Sequence, residues 1–189
     1  MSEDRAAIYR QLEAIEPLDE LERQDKEWAL EWVNNESNIY QLQPPDVPTQ
    51  HLVAYCLIID PSTQRILLLN NRPTGRWLPI GAHVAPKSDP RDTVSRIFAE
   101  QFGDKPKLPE APAFIAKEET SNTVGKHIDV SLWYLVEFPE VETQKGDKTG
   151  SFTVQWWEIN QILTSPAEQF HPQFSRVARK LRHLWHEGF

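Results

Sequence analysis

A single cysteine, a single methionine and seven glycines in 189 residues remove several classes of protein at once. The lone Cys56 cannot close an intramolecular disulfide, and no CxxC or Cys/His cluster has structural-zinc spacing. Cys56 lies inside the apolar run LVAYCLII, where a small buried hydrophobe is the expected role. No stretch approaches the roughly 18 apolar residues that a membrane span requires, so no membrane association is expected. The opening MSEDRAAIYRQLEAIEPLDE lacks the apolar centre of a signal peptide, which makes the cytoplasm the expected location. Basic residues are also in deficit, with 20 Lys and Arg against 28 Asp and Glu and a net charge of −8. That balance argues against general nucleic-acid binding, which needs a basic face. It leaves room for one local pocket that takes a small anion, because net charge says little about a single cleft.

What the chain does have is pattern. Ala7, Ile8, Leu12 and Ile15 recur at helical spacing, and PLDELERQDKEWALEWVNNE predicts a second helix opening at Pro17. Leu18, Leu21, Trp28 and Trp32 form its expected apolar stripe, interrupted by Asp25. The stretch QPPDVPTQ, residues 43–50, reads as a linker, since its three prolines cannot continue a helix. Residues 1–45 are therefore expected to form a helical arm and 46–189 the main domain with its C-terminal helix. HLVAYCLIID and RILLLNNR, separated by PSTQ, predict a hairpin, and the first strand is apolar enough to be covered on both faces. PRDTVSRIFAEQFG predicts a helix capped by Asp89, started by Pro90 and ended by Gly103. HIDVSLWYLVEF and FTVQWWEI predict two more strands, and FSRVARKLRHLWHE a closing amphipathic helix. Alternating sheet and helix place the core in the α/β or the α+β class.

The segment GRWLPIGAHVAPKSDPRDTVSRIFAEQFGD, residues 75–104, joins a strand to a helix through a loop. Gly81 permits close approach of backbone to a phosphate, and a helix N-terminus adds partial positive charge. Positions 96, 97, 100 and 101 share one helical face, where carboxylates would clamp a hard cation such as Mg²⁺ above the loop.

This segment resembles the signature of the Nudix hydrolase superfamily, G-x5-E-x7-R-E-U-x-E-E-x-G-U, with U a bulky apolar residue. Aligned on Gly103, Arg96 and Glu100 match and Phe98 fits the apolar position loosely. Ala82, Ser88, Ile97, Gln101 and Asp104 depart, and Ala85 replaces a further Glu that many members carry. Trp77, Pro79, Gly81, His83 and Val84 in WLPIGAHV resemble the approach to that signature, as HIDVSLWYLV and VQWWEINQI resemble later strands of one bacterial branch with a helical arm. The resemblance implies a Nudix-like α/β/α sandwich with a mixed sheet and an N-terminal helical extension.

It also implies Mg²⁺ or Mn²⁺ on the Glu-rich helix if the protein is active, but only Glu100 keeps a metal-ligand position. The inherited metal site is therefore expected to be weak or absent, with no cofactor required. Glu100, Arg96 and Asp129 are the candidate catalytic residues. Arg72, Arg76, Trp77, Gly81, His83 and His127 are the candidate contacts to a small phosphorylated or nucleotide-like molecule. Glu118, Glu119 and Glu142 are carboxylates outside the signature that a working enzyme would have to recruit. Trp156 and Trp157 should point to opposite faces of their strand, and His171 reads as ordinary surface. The leading expectation is a Nudix-fold protein that binds a nucleoside-diphosphate-like ligand with weak or absent hydrolysis. The alternatives are an active pyrophosphatase on nucleoside diphosphate-X, and an interaction domain whose arm makes a homodimer or a complex.

Overall fold

Two helices begin the chain and cap each other. The computed structural model describes residues 2–42, 48–71, 73–121, 126–138 and 153–188. Helix α1 spans Glu3–Glu13 and α2 spans Glu20–Asn35. Arg5 on α1 donates to the Val33 and Asn34 carbonyls at the end of α2, at 2.5–2.9 Å. Lys26 on α2 returns the favour, with Nζ 2.8 Å from the Glu13 carbonyl and 2.6 Å from that of Ile15. Each cation meets carbonyls at or just beyond a helix C-terminus, at the negative end of the helix dipole. The second helix starts at Glu20, not at Pro17, because Asp19 supplies the cap: its carboxylate accepts the Glu22 N–H at 2.7 Å. Glu22 in turn accepts the Leu18 N–H at 2.9 Å. The buried stripe also differs from the expected one. Glu22, Asp25, Ala29, Trp32 and Val33 face inward, whereas Leu18 and Leu21 are exposed. Capping turned the helix so that its charged N-terminal residues are buried with hydrogen bonds instead of the leucines.

The strands are β1 Gln50–Asp60, β2 Arg65–Asn71, β3 Arg76–Leu78, β4 Ile80–His83, β5 Phe114–Ser121, β6 Lys126–Glu137 and β7 Thr153–Glu158. The remaining helices are α3 Pro90–Phe102, α4 Ile159–Thr164 and α5 Phe174–His186, with a 3₁₀ turn at Ala167–Gln169. The strand order is β3-β2-β1-β6-β5, with β4 on β1 and β7 on β2. The hairpin expected at PSTQ forms, pairing Asp60 with Arg65. Pairings β1–β2, β2–β3, β2–β7 and β5–β6 are antiparallel. Strands β1 and β6 run parallel, since the Ile128 N–H to Thr49 and Phe138 N–H to Ile59 bonds keep the same sequence offset. The sheet is thus mixed and the fold is of the expected α/β class.

The chain divides into two compact units. One comprises Met1–Tyr55, Gly81–Ile97 and Leu108–Tyr134, the other Cys56–Ile80, Phe98–Lys107 and Leu135–Phe189. In the first unit Ile8, Leu12 and Ile15 are buried from the arm, and Trp133 and Tyr134 from β6. Lys117 of β5 lies 4.0 Å over the Trp28 ring, which stacks on Trp32. Buried Gln11 bonds the Tyr134 hydroxyl at 2.6 Å and the Asp89 carboxylate at 3.1 and 3.2 Å. Asp89 also accepts the Arg91 N–H at 2.8 Å, as a helix cap should, and so ties α1 to the start of α3. In the second unit β2 lies between β3 and β7, and Phe170, Phe174, Val177, Ala178 and Leu181 are buried. His171 is buried there and does not lie on the surface as expected. Its N–H donates to the Trp77 carbonyl at 3.1 Å and its Nδ1 accepts the Gln173 N–H at 3.2 Å, which orders the approach to α5.

Candidate functional site

Strand periodicity assembles a polar cluster in the first unit. Alternate residues of a strand share a face, so His127 and Asp129 on β6 point the same way. The antiparallel register sets Thr120 of β5 opposite His127 and Glu118 opposite Asp129. Thr120 Oγ1 lies 2.6 Å from His127 Nε2 and donates a longer bond, 3.4 Å, to Asp129 Oδ2. His51, at the second position of β1, is fully buried and places Nε2 3.1 Å from Asp129 Oδ1. The His127 Nε2 atom is 3.5 Å from the same oxygen. His83 ends β4 and is exposed; its ring meets His51 edge to face at 4.7 Å between centroids. One ligand atom each from His51, His83 and Asp129 lies within 4.8 Å of the others.

Burial alone would raise the Asp129 carboxyl, but the His51 hydrogen bond and the nearby charges of His127, His51 and His83 hold it below the usual carboxylate range. Tyr55 moves the other way. Burial, followed by the negative charges of Asp129 and Glu118, pushes its phenol well up, so it stays neutral at physiological pH. The Tyr55 ring also explains Gly81. A Cβ at position 81 would stand 2.2 Å from Tyr55 Cδ1, so only glycine lets β4 pass under the ring without displacement.

The helix of the expected metal site is built differently. Pro90 begins α3, and Gly103 ends it at φ +80° with its N–H on the Ala99 carbonyl at 2.9 Å. Ile97 is buried with Val94 and Phe98, so the position where the signature wants a carboxylate belongs to the core. Arg96 and Glu100 are exposed one turn apart, and Gln101 is half-buried. With Ala85 and Ser88 in the loop, the residues present do not fit a hard Mg²⁺ site that depends on several anionic oxygens.

The candidates therefore fall in different places. Gly81, His83, His127 and Asp129 come together in the first unit, where Arg96 also lies, out on α3. Arg76, Trp77 and Glu100 belong to the second unit. Arg76 is exposed, and Trp77 packs edge to face on Trp157 at 5.3 Å. Glu119 points away from the His127 face and pairs with Lys126 at 2.5 Å. Arg72 and Glu142 lie outside the described residues. A cavity of about 310 Å³ in the second unit, bordered by Gln64, Glu158, Arg182 and Trp185, contains none of the candidates. Sequence reasoning missed His51 and the pairing of Glu118 with Asp129. Only sheet register brings those residues to the cluster.

No protein-family model and no curated protein matches the sequence. Solved structures do match. A C. elegans Ap4A hydrolase binary complex is 15% identical over 73% of this chain and 98% of its own, with a TM-score of 0.52. Shewanella oneidensis NrtR is 18% identical over 72% of this chain and 64% of its own, with a TM-score of 0.51. A NUDIX family hydrolase from Clostridium perfringens is 16% identical over 71% and 97%, with a TM-score of 0.48. At such identities the likeness is one of fold, and the chain has the Nudix fold.

Proposed function

We propose that this Nudix-fold protein binds a nucleoside-diphosphate-like ligand and hydrolyses it weakly or not at all. The observation that carries the reading is the burial of Ile97 in the core of α3, with Glu100 alone at a metal-ligand position of the signature. Loss of several anionic ligands removes the charge that offsets dehydration of Mg²⁺. The features that would serve binding are kept: Gly81 in its narrow passage, with His83 and His127 on the same unit to donate hydrogen bonds to phosphate oxygens. The Ap4A hydrolase among the structural neighbours, a nucleotide hydrolase by name, supports that ligand class.

A second reading, an active pyrophosphatase with recruited acids, is favoured by one observation. Glu118 and Asp129 stand directly opposite each other on β5 and β6, which sets two carboxylates side by side outside the signature. One experiment separates the two. Thermal stability and phosphate release are measured with nucleoside diphosphate sugars, dinucleotides and nucleoside triphosphates, with and without Mg²⁺ or Mn²⁺. Binding to the native state raises the melting temperature by mass action. Ligand stabilisation without metal-dependent turnover is the expected result. Turnover lost in Glu118→Gln or Glu100→Gln would establish the enzyme instead. Absence of any stabilisation would point to the third alternative, an interaction domain.

A further inference from the structure

We infer that His51, His83 and Asp129 form a binding site for a divalent transition metal such as Zn²⁺, distinct from the signature helix. The argument begins with the tautomer of His51. Its Nδ1 lies 3.0 Å from the Pro48 carbonyl, which can only accept, so Nδ1 carries the proton. The other nitrogen faces Asp129 Oδ1, an anionic oxygen 3.1 Å away. Two electron-rich atoms face each other in that way when a cation belongs to both, either a second proton on the imidazole or a metal ion.

Composition favours the metal. Neighbouring ligand atoms around a tetrahedral ion with bonds of about 2.0–2.2 Å stand roughly 3.3–3.6 Å apart, a few tenths of an ångström wider than the observed 3.1 Å. The third ligand atom lies within 4.8 Å of the other two, somewhat wider than a closed shell. His83 is the exposed member, and its ring meets His51 edge to face. One added proton accounts for one imidazole beside Asp129, yet three imidazoles gather there: His51, His83 and His127. The outer partners are those a metal centre uses. The Pro48 carbonyl fixes the His51 ring, and Thr120 joins His127 to the second Asp129 oxygen. Two imidazoles and one carboxylate select Zn²⁺, Co²⁺ or Ni²⁺ over Mg²⁺, because imidazole nitrogen is a poor ligand for a hard ion. All the residues lie within one compact unit. The site goes beyond the ligand-binding reading, and its test uses the metal alone, so each can fail without the other.

The full-length chain is titrated with Zn²⁺ by calorimetry, and with Co²⁺ while the visible ligand-field bands are recorded. One ion per chain is expected, with Mg²⁺ unable to compete. His83→Ala, an exposed change that leaves the core intact, should weaken Zn²⁺ by more than about tenfold, since even an outer-shell loss costs that much. His183→Ala and His186→Ala on α5 should leave the affinity unchanged. Imidazole ¹⁵N shifts give a second readout. With Zn²⁺ bound, His51 should keep its Nδ1 proton and have none on Nε2. Zn²⁺ affinity that survives both His83→Ala and Asp129→Asn, no stoichiometric binding, or a His51 protonated on both nitrogens with Zn²⁺ present would each overturn the assignment.

Discussion

Replacing Gln11 by methionine should loosen the arm from the start of the signature helix. Gln11 is only 5% exposed and acts in two directions, donating to Asp89 and accepting from Tyr134. Methionine keeps the length and removes both functions. Losing a hydrogen bond to a charged group costs about 1.5–3 kcal/mol, and orphaning the fully buried Tyr134 hydroxyl costs about 1–3 kcal/mol more. Improved apolar burial offsets about 1 kcal/mol, which leaves a net loss of roughly 1.5–5 kcal/mol. For a chain of this size that is a fall in melting temperature of about 3–20 °C. Tyr134→Phe alone should cost about 1–2 kcal/mol, but in the Gln11→Met background it should cost almost nothing, because the orphaned hydroxyl has gone. The assay is urea unfolding followed by far-UV circular dichroism, run as a double-mutant cycle. Burial raises the Asp89 carboxyl, but Arg91 and Gln11 together hold it below the usual carboxylate range. Its stabilisation is therefore complete above the unfolded pKa of about 3.9 and lost as pH falls through the lower folded value. Gln11→Met should make that acid loss shallower. Additive single mutants, or a cost for Gln11→Met under about 0.5 kcal/mol, would refute the reasoning.

Three further outcomes are expected. Gly81→Ala forces a methyl against Tyr55 and should cost about 1–3 kcal/mol; in a Tyr55→Ala background the same change should cost far less, as chemical denaturation will show. Asp129 has a lowered carboxyl pKa in the folded state, so its stabilisation exists above about pH 4 and disappears as pH falls through the folded value. Asp129→Asn should accordingly destabilise the protein at neutral pH and flatten its stability profile in acid, measured by melting temperature against pH. Asp19→Ala removes the cap of α2 and should cost about 1 kcal/mol, with Asp19→Asn recovering most of it in the same unfolding assay.

What could be read from the sequence was whatever is local. The β1–β2 hairpin, the Pro90 and Gly103 ends of α3, and the amphipathic α5 each rest on neighbours in the chain, and each formed where expected. Errors arose where a side chain's partner lies far away or where capping competes with hydrophobic pattern. The apolar stripe of α2 was misplaced because Asp19 and Glu22 use their carboxylates to begin the helix, which sets the inward face one position away from Leu18 and Leu21. His127 and Asp129 could be noticed because HIDV resembles a strand of the related Nudix branch. His51 could not, since its place beside them follows from the parallel pairing of β1 with β6, strands distant in sequence. His171 in FHPQF was expected at the surface, yet its backbone closes onto Trp77 and the residue is buried.

The aromatic pairs have an optical consequence. Trp28 and Trp32 stack with centroids 5.6 Å apart at 15°, while Trp77 and Trp157 meet at 5.3 Å and 65°. Indoles held that closely in fixed, chiral arrangements couple their ultraviolet transitions, and the sign and shape of the coupling depend on the angle between the rings. One pair belongs to each compact unit. The protein thus carries two intrinsic reporters of different geometry, and the loosening of either unit can be followed by light without attaching a label.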